Sequence, residues 1–343
     1  MVPGVHVIEY HYGNWGKLVA QGNVFPFFPV SGDMVSVILT TYNRAQLVME
    51  SIHSVLNQTY TDLELIIADD GSDDDTEAQI QAIADPRIRY YKMPHTGRTA
   101  ILKNLAIRRS KGAFIAFIDS DDCWTENKLE KQIQLLSQQP GIGFSITDAI
   151  SYKEGVVLSP RTYRNKQGVE CTNIFNRLKE NRFVVYNPTL VLRRACFEKT
   201  GWFDETMPFG SDYHFNMRLA YYYNAGIIYE SLLWRRLHND NESSQIPVEN
   251  YEGFLQTFEY LYRHHMVSKK YLHKAKSHAY LHIGHVHKQR QNLPAARHHY
   301  LQSLKYNLLQ PACYWQLLKT YRDHKPTERF HSAKYPPTGN AYK

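Results

Sequence analysis

From residue 34 to about residue 138, short apolar runs alternate with segments whose apolar positions repeat at helical spacing. Val35-Ser36-Val37-Ile38-Leu39, Leu63-Glu64-Leu65-Ile66-Ile67-Ala68, residues 88–91 and Ala113-Phe114-Ile115-Ala116-Phe117-Ile118 are short, continuously apolar or extended, and read as strands. Helical patterns fall among them at 45–57, 77–84, 100–109 and 127–137. This alternation predicts an α/β domain with a mostly parallel, Rossmann-like sheet flanked by helices on both faces. In such a sheet the polar residues that follow the strand C-termini line the ligand crevice, so candidate chemistry is sought there.

The remaining segments set the domain plan. Residues 1–33, rich in Gly, Pro, Tyr and Phe, have no sustained period and read as an irregular arm. Residues 34–247 form the α/β domain. Its later part is mixed, with extended pieces at 143–150 and 188–192 and a helix at 211–223. Beyond residue 248 helical patterns run at 251–265, 271–290, 294–305 and 312–323, so 248–325 reads as a helical extension and 326–343 as a loose tail.

At 343 residues and 43% hydrophobic content, the chain has enough apolar surface for a large domain plus a smaller one. Fibrous and disordered classes are thereby set aside. No apolar run approaches the ~20 residues of a membrane span, and the N-terminus lacks a basic region leading into an apolar stretch. A cytoplasmic protein is expected. Four scattered cysteines, Cys123, Cys171, Cys196 and Cys313, suggest neither a zinc ribbon nor a disulfide framework. The net charge of +7 favours an anionic partner: a nucleotide, a phosphorylated lipid carrier, an acidic membrane surface or nucleic acid. Much of the excess lies late, at Arg263, Lys269, Lys270, Lys274, Lys276, Lys288, Arg290 and Arg297, which marks the extension as a surface for peripheral membrane contact. A solvated helical face is the plainer reading of the same charges.

Three strand ends carry candidate chemistry. Asp119-Ser120-Asp121-Asp122 places three carboxylates within four residues, a repulsive arrangement unless a cation or hydrogen-bond donors compensate it. Mn²⁺ or Mg²⁺ fits such hard oxygen ligands; a turn leading into a helix cap is the alternative. Ala68-Asp69-Asp70-Gly71-Ser72-Asp73 is a second acidic strand end, able to accept from a base or ribose, or simply to form a turn. Leu39-Thr40-Thr41-Tyr42-Asn43-Arg44 offers a ring to stack on a base and a hydroxyl or backbone contact. In the extension, His278 and His282 stand four residues apart, a metal-ligand spacing with no carboxylate or Cys beside it, and read as a polar helix face.

The order and spacing of these pieces resemble the family-2 glycosyltransferases of GT-A fold. The resemblance rests on the strand ends above together with Ser54 to Tyr60, Gly97-Arg98 with Asn104, residues 112–124 and Gly201-Trp202-Phe203-Asp204, and covers about residues 34–240. It implies a nucleotide-binding half at 34–125 and an acceptor half at 126–247. Thr41, Tyr42, Arg44, Asp70, Arg98 and Asp121 would hold the nucleotide, and Asp122 the metal. Gly210-Ser211-Asp212-Tyr213 resembles the segment that supplies the base, which makes Asp212 the candidate; helix capping would explain it otherwise. Arg236 and His238, in Trp234-Arg235-Arg236-Leu237-His238, resemble a segment that binds diphosphate and metal. Thr40 stands where the family commonly has Pro, and Ser211 where a second acidic residue is common. The implied activity is inverting transfer from a nucleotide sugar, favoured as a UDP-sugar, to a carbohydrate or lipid-linked acceptor, with no nucleic-acid partner. A metal-dependent sugar nucleotidyltransferase and an inactive scaffold are the alternatives. Tyr280, Gly284, Ala296 and Tyr300, with Asn292-Leu293-Pro294 as a turn, resemble one tetratricopeptide unit, a surface that could hold a protein partner.

Overall fold

The structure, a computed structural model, describes residues 5–7, 31–163, 166–238 and 248–322. Strand β1 (Val5–Val7) comes from the expected irregular arm and adds to the sheet edge; the rest of that arm up to residue 30 and the tail 326–343 lie outside the described residues. β2 (Ser31–Thr41) has β3 (Leu63–Asp69) on one side and β5 (Gly112–Asp119) on the other, while β4 (Ile88–Lys92) continues beyond β3 and pairs with β1. All five are parallel. The intervening helices are α1 (Ala45–Leu56), α2 (Thr76–Gln81) and α3 (Thr99–Arg109).

The chain steps outward from β2 to β3 and β4, then returns to build β5 on the opposite side of β2. Loops leaving β2 and β5 therefore diverge and open a crevice at their C-terminal ends. Thr40 and Asp119 are register partners at its floor. Every residue of β3 is buried, as a strand covered on both faces requires. Val35, Val37 and Leu39 of β2 pack with Val48, Ile52 and Val55 of α1 in one continuous core.

Beyond β5 the sheet becomes mixed. After β6 (Cys123–Trp124) and α4 (Lys128–Gln138) come β7 (Ile142–Lys153), β8 (Val156–Ser159), β9 (Val169–Thr172), α5 (Phe175–Lys179), β10 (Val191–Arg193), α6 (Phe197–Thr200), α7 (Ser211–Tyr222) and β11 (Asn224–Arg236). β10 runs antiparallel between β5 and β7, whereas β7 and β11 are parallel. β6 closes the path antiparallel to β11, bringing the residues after β5 next to the end of β11. The parallel description thus holds for the first half of the domain, and antiparallel pairs enter with the second.

The chain divides into two compact units, Met1–Ser268 and Lys269–Lys343. Helix α8 (Val248–Arg263), which periodicity alone groups with the extension, falls in the first. Its Gly253 lies against the backbone of Phe209 and Gly210, where a Cβ would come within 2.4 Å of the Phe209 carbonyl oxygen. Gly210 has φ +76 immediately before α7, so the two glycines let α8 approach the start of α7. The second unit comprises α9 (Lys269–Gln289), α10 (Leu293–Tyr306) and α11 (Pro311–Arg322). The α9–α10 hairpin closes on Gly284, whose missing Cβ leaves room for the Tyr300 ring, and Asn292 caps α10 by accepting from the Ala295 N–H. His278 and His282 hydrogen-bond to each other through Nε2 at 3.2 Å, and burial, with repulsion from His278 and His285, holds His282 down to about 4.

Candidate active site

Two loops are laced together at the ends of β2 and β3. The Asp69 carboxylate accepts from the Ser72 N–H, the Ser72 hydroxyl and the Tyr90 hydroxyl, and Ser72 Oγ in turn accepts from the Asn43 N–H. Asp74 accepts from the Ala45 N–H. Much of the acidic run after β3 is therefore turn architecture, and within it Asp70 lines the cleft. Both Asp70 oxygens are used: Oδ1 accepts from Thr96 N and Oγ1, each at 2.8 Å, and Oδ2 from Gly97 N at 2.8 Å. Asp70 thereby fixes the loop that carries His95, Gly97 and Arg98. His95, which sequence reasoning missed, stacks on Tyr42 with ring centroids 4.1 Å apart. Thr41 Oγ1 is buried without a partner.

These residues form one end of a cleft of about 820 Å³, a volume ordinary for a cofactor-sized ligand. Thr41, Tyr42, Arg44, Asp70 and Arg98 line it, and so do Asp121, Asp122, Asp212 and Arg236. At its centre Asp119, Asp121 and Asp122 each present an oxygen, all within 4.8 Å of one another. Asp119 completes the trio although the sequence assigned it no role of its own. Its carboxyl is pushed up to about 7, chiefly by burial, with Lys103 pulling it down and Asp121 and Asp212 adding repulsion. Burial likewise holds Asp122 well above the carboxylate range, with Asp119 and Asp121 adding repulsion. Three converging oxygens of this kind suit a hard divalent cation.

His238 reaches the trio through Asp121, its Nε2 lying 2.8 Å from Asp121 Oδ2. Arg236 is anchored by its Nε to the Asp121 carbonyl oxygen and by a terminal nitrogen to Glu50, and its backbone N–H donates to Asp122 Oδ1 at 2.9 Å. The β6–β11 pairing brings these two segments together across more than 100 residues of sequence.

The candidate base lies in the first turn of α7. Lys103 of α3 donates to both Asp212 oxygens, at 2.7 and 2.8 Å. The lysine side chain is 4% exposed and the aspartate 39%, so the carboxylate opens to the cleft while its cation is enclosed. Sequence reasoning missed Lys103, yet a signal existed: it sits among Ala100, Leu102, Leu105, Ala106 and Ile107 in mid-helix, whereas the other basic residues of α3, Arg108 and Arg109, come in its last turn. Asn104 beside it accepts from the Phe203 N–H and donates to the Phe203 carbonyl and Glu205, tying α3 to the segment after Gly201. One turn further along α7, Asn216 Nδ2 donates to Asn187 Oδ1 at 3.3 Å. That leaves Asn187 Nδ2 and Asn216 Oδ1 buried without partners in residues that line the cleft.

A switch-point crevice in which the stacked Tyr42–His95 pair, three carboxylates and basic side chains line one cleft defines an α/β domain with a polar, cofactor-sized site. Residues 36–201 match the model of glycosyl transferase family 2, and this domain belongs to that family. An uncharacterized glycosyltransferase of Rickettsia bellii is 31% identical over 240 residues, covering 68% of this chain and 33% of that protein. The Escherichia coli UDP-Glc:alpha-D-GlcNAc-diphosphoundecaprenol beta-1,3-glucosyltransferase WfgD is 41% identical over 103 residues, 30% of this chain and 41% of that protein. The chain thus spans well under half the length of these two curated relatives. Residues 1–349 of S. aureus TarS, solved in complex with UDP-GlcNAc, share the fold, with a TM-score of 0.60 at 15% identity over 84% of this chain and 92% of that one.

Proposed function

We propose that the chain transfers a glycosyl group from a nucleoside diphosphate sugar to a hydroxyl of a carbohydrate or lipid-linked acceptor, with inversion at the anomeric carbon. The observation that carries this reading is the meeting of the Asp119–Asp121–Asp122 trio and the Lys103–Asp212 pair in one cleft. The UDP-Glc in the name of WfgD and the UDP-GlcNAc bound by TarS favour a UDP-sugar as donor.

Tyr42 and His95, stacked on each other with the unpartnered Thr41 hydroxyl in the same cleft wall, offer an outer ring face for the base, and Asp70 holds the loop that carries His95. Asp121 takes the ribose or sugar side, between His238 and the rest of the trio. Asp122, with Asp119, would hold Mn²⁺ or Mg²⁺; the raised carboxyls are the physical fit, because burial first and repulsion from neighbouring aspartates second penalise their ionised forms, and a cation offsets both. When bound, the metal offsets negative charge growing on the departing diphosphate. Arg236, already oriented by Glu50 and Asp121, donates to the phosphate side. Ionised Asp212 takes the proton from the acceptor hydroxyl as that oxygen attacks the anomeric carbon from the face opposite the diphosphate. The unpartnered amide atoms of Asn187 and Asn216, buried in residues that line the cleft, match sugar hydroxyls in kind, since these both donate and accept.

Thermal shift with a panel of nucleotides tests the reading, and the carboxyl shifts fix its pH dependence. A carboxyl with a raised folded pKa favours folding in its protonated form, so without metal its contribution to stability falls as pH rises from the ordinary carboxylate range, about 4, to about 7. Mn²⁺ must displace those protons. The stabilisation by UDP with Mn²⁺ over UDP with chelator is therefore expected to be larger near pH 8 than near pH 5. Equal stabilisation by nucleoside triphosphates with a sugar 1-phosphate, accompanied by pyrophosphate release, would instead favour a nucleotidyltransferase.

Lys103→Met tests the base assembly from its other side. Methionine fills the buried space without the charge, so Asp212 loses its orientation; Asp119, which Lys103 also pulls down, then holds its proton more firmly, so the assay is run at saturating Mn²⁺. Transfer is expected to slow by about 10- to 100-fold, with donor KM changed less than threefold, as for loss of a group that positions a catalytic base. A change confined to donor KM would place Lys103 on the nucleotide instead.

A further inference from the structure

We infer that the second unit docks on an anionic lipid bilayer through the α10–α11 turn and the exposed face of α11. Charge is the first observation. Residues 269–322 contain ten of the chain's 40 Lys and Arg and none of its 33 Asp and Glu, so the net positive charge of the whole chain originates in this stretch. Anionic lipid attracts each basic group near its surface, and among the described residues of the second unit no acidic group opposes that attraction.

The second observation is where the apolar groups face. Cys313 and Thr320 of α11 turn inward, Cys313 Sγ contacting Ser303 and the Thr320 carbonyl accepting from Arg297. The opposite side carries Tyr314, Trp315, Leu318 and Tyr321, between 47% and 65% exposed. An ordinary soluble helix places such residues inside and polar ones outside; here the exposed face is aromatic and aliphatic. In the turn before α11, Leu308 and Leu309 are 70% and 90% exposed. They are held there: the Tyr314 hydroxyl donates to the Leu308 carbonyl, and the Leu309 N–H donates to Asn307 Oδ1.

Basic residues rim this patch. Lys305 and Arg322 are exposed at its two ends, and the Lys319 ammonium lies 4.9 Å from the centre of the Trp315 ring. Leucines at a protruding turn, Trp and Tyr beside them and Lys and Arg around the edge form the arrangement of an interfacial helix that enters the headgroup region without spanning the membrane. Among the described residues no helix is long and apolar enough to cross. A lipid-linked acceptor would be presented at the same surface, but the docking itself rests on the second unit alone.

Flotation of the whole chain, without donor, on phosphatidylcholine vesicles with and without phosphatidylglycerol tests the inference. Binding is expected on the anionic vesicles and is expected to weaken as salt rises, since screening shortens the reach of the basic rim. Leu308→Ser/Leu309→Ser/Leu318→Ser is expected to lower partitioning about tenfold or more, and Lys305→Glu/Lys319→Glu/Arg322→Glu to weaken it and flatten its salt dependence. Brominated lipid is expected to quench part of the tryptophan fluorescence, and Trp315→Phe to abolish that part. Wild-type partitioning by the leucine variant, or quenching that survives Trp315→Phe, overturns the inference. So does a wild-type dimer by light scattering that the leucine variant converts to monomer, since a second copy would then cover the face. UDP binding, unchanged in all these variants, keeps this result separate from the proposed activity.

Discussion

Asp122→Ala is expected to abolish the manganese-dependent part of UDP affinity and to lower transfer by about 10³-fold or more, since charge stabilisation of a departing diphosphate is worth several kcal/mol. Asp122 is 3% exposed and points at Asp119 and Asp121, so no solvent-facing carboxylate can take its place. The variant should nevertheless fold. Burial and two neighbouring aspartates already penalise the ionised Asp122 side chain, and its removal relieves that repulsion. What is lost is one acceptor for the Arg236 N–H, a change of about 1 kcal/mol. In chelator, wild type and variant should therefore melt within a few degrees of each other, and the difference should appear on adding Mn²⁺ with UDP. Calorimetry showing the same manganese-dependent UDP affinity in both proteins would take Asp122 out of the metal site.

The same trio shows what the sequence could and could not disclose. Three aspartates after an apolar run are visible in one dimension, because repulsion among near neighbours is a local property. That Arg236 and His238 belong beside them is set by β6 pairing with β11, a contact that no spacing rule reaches; resemblance to a family supplied it. The parallel first half of the sheet follows from strand and helix alternation, whereas β10, three residues long between β5 and β7, carries too little pattern to announce an antiparallel pairing. β1 was similarly hidden within an aperiodic arm. Helix α8 looked like the start of the extension because periodicity reports that a helix exists, and not which unit Gly253 lets it pack against.

Burial explains the other gaps. Lys103 was legible in principle, as a cation enclosed by apolar helix positions, but its partner was not, since Asp212 lies 109 residues away. Asp70 was legible as an acidic strand end, yet its bonds to Thr96 and Gly97 give it a loop-holding role beside any contact with the base. His95 carried no local signal at all: it becomes a site residue because that loop lays its ring on Tyr42.

Asp212→Asn is expected to leave UDP and manganese binding intact and to lower transfer by about 10²- to 10⁴-fold, the range for removal of a general base. Asparagine keeps the shape and a carbonyl oxygen toward Lys103 but cannot accept the acceptor's proton. The substitution also leaves an enclosed ammonium without its counter-charge. Breaking a buried pair costs about 3–5 kcal/mol and a surface pair at most ~1, and this pair, with Lys103 at 4% and Asp212 at 39% exposure, falls between. A drop in melting temperature could then be mistaken for a drop in activity. Lys103→Met/Asp212→Asn separates the two effects: with the charge gone from both sides, much of the stability should return while transfer stays absent. If transfer returns along with stability, the carboxylate is an anchor for Lys103 and the base lies elsewhere in the cleft. If the double variant is stable, binds UDP with Mn²⁺ as tightly as wild type and still fails to transfer, the missing step is proton acceptance at Asp212.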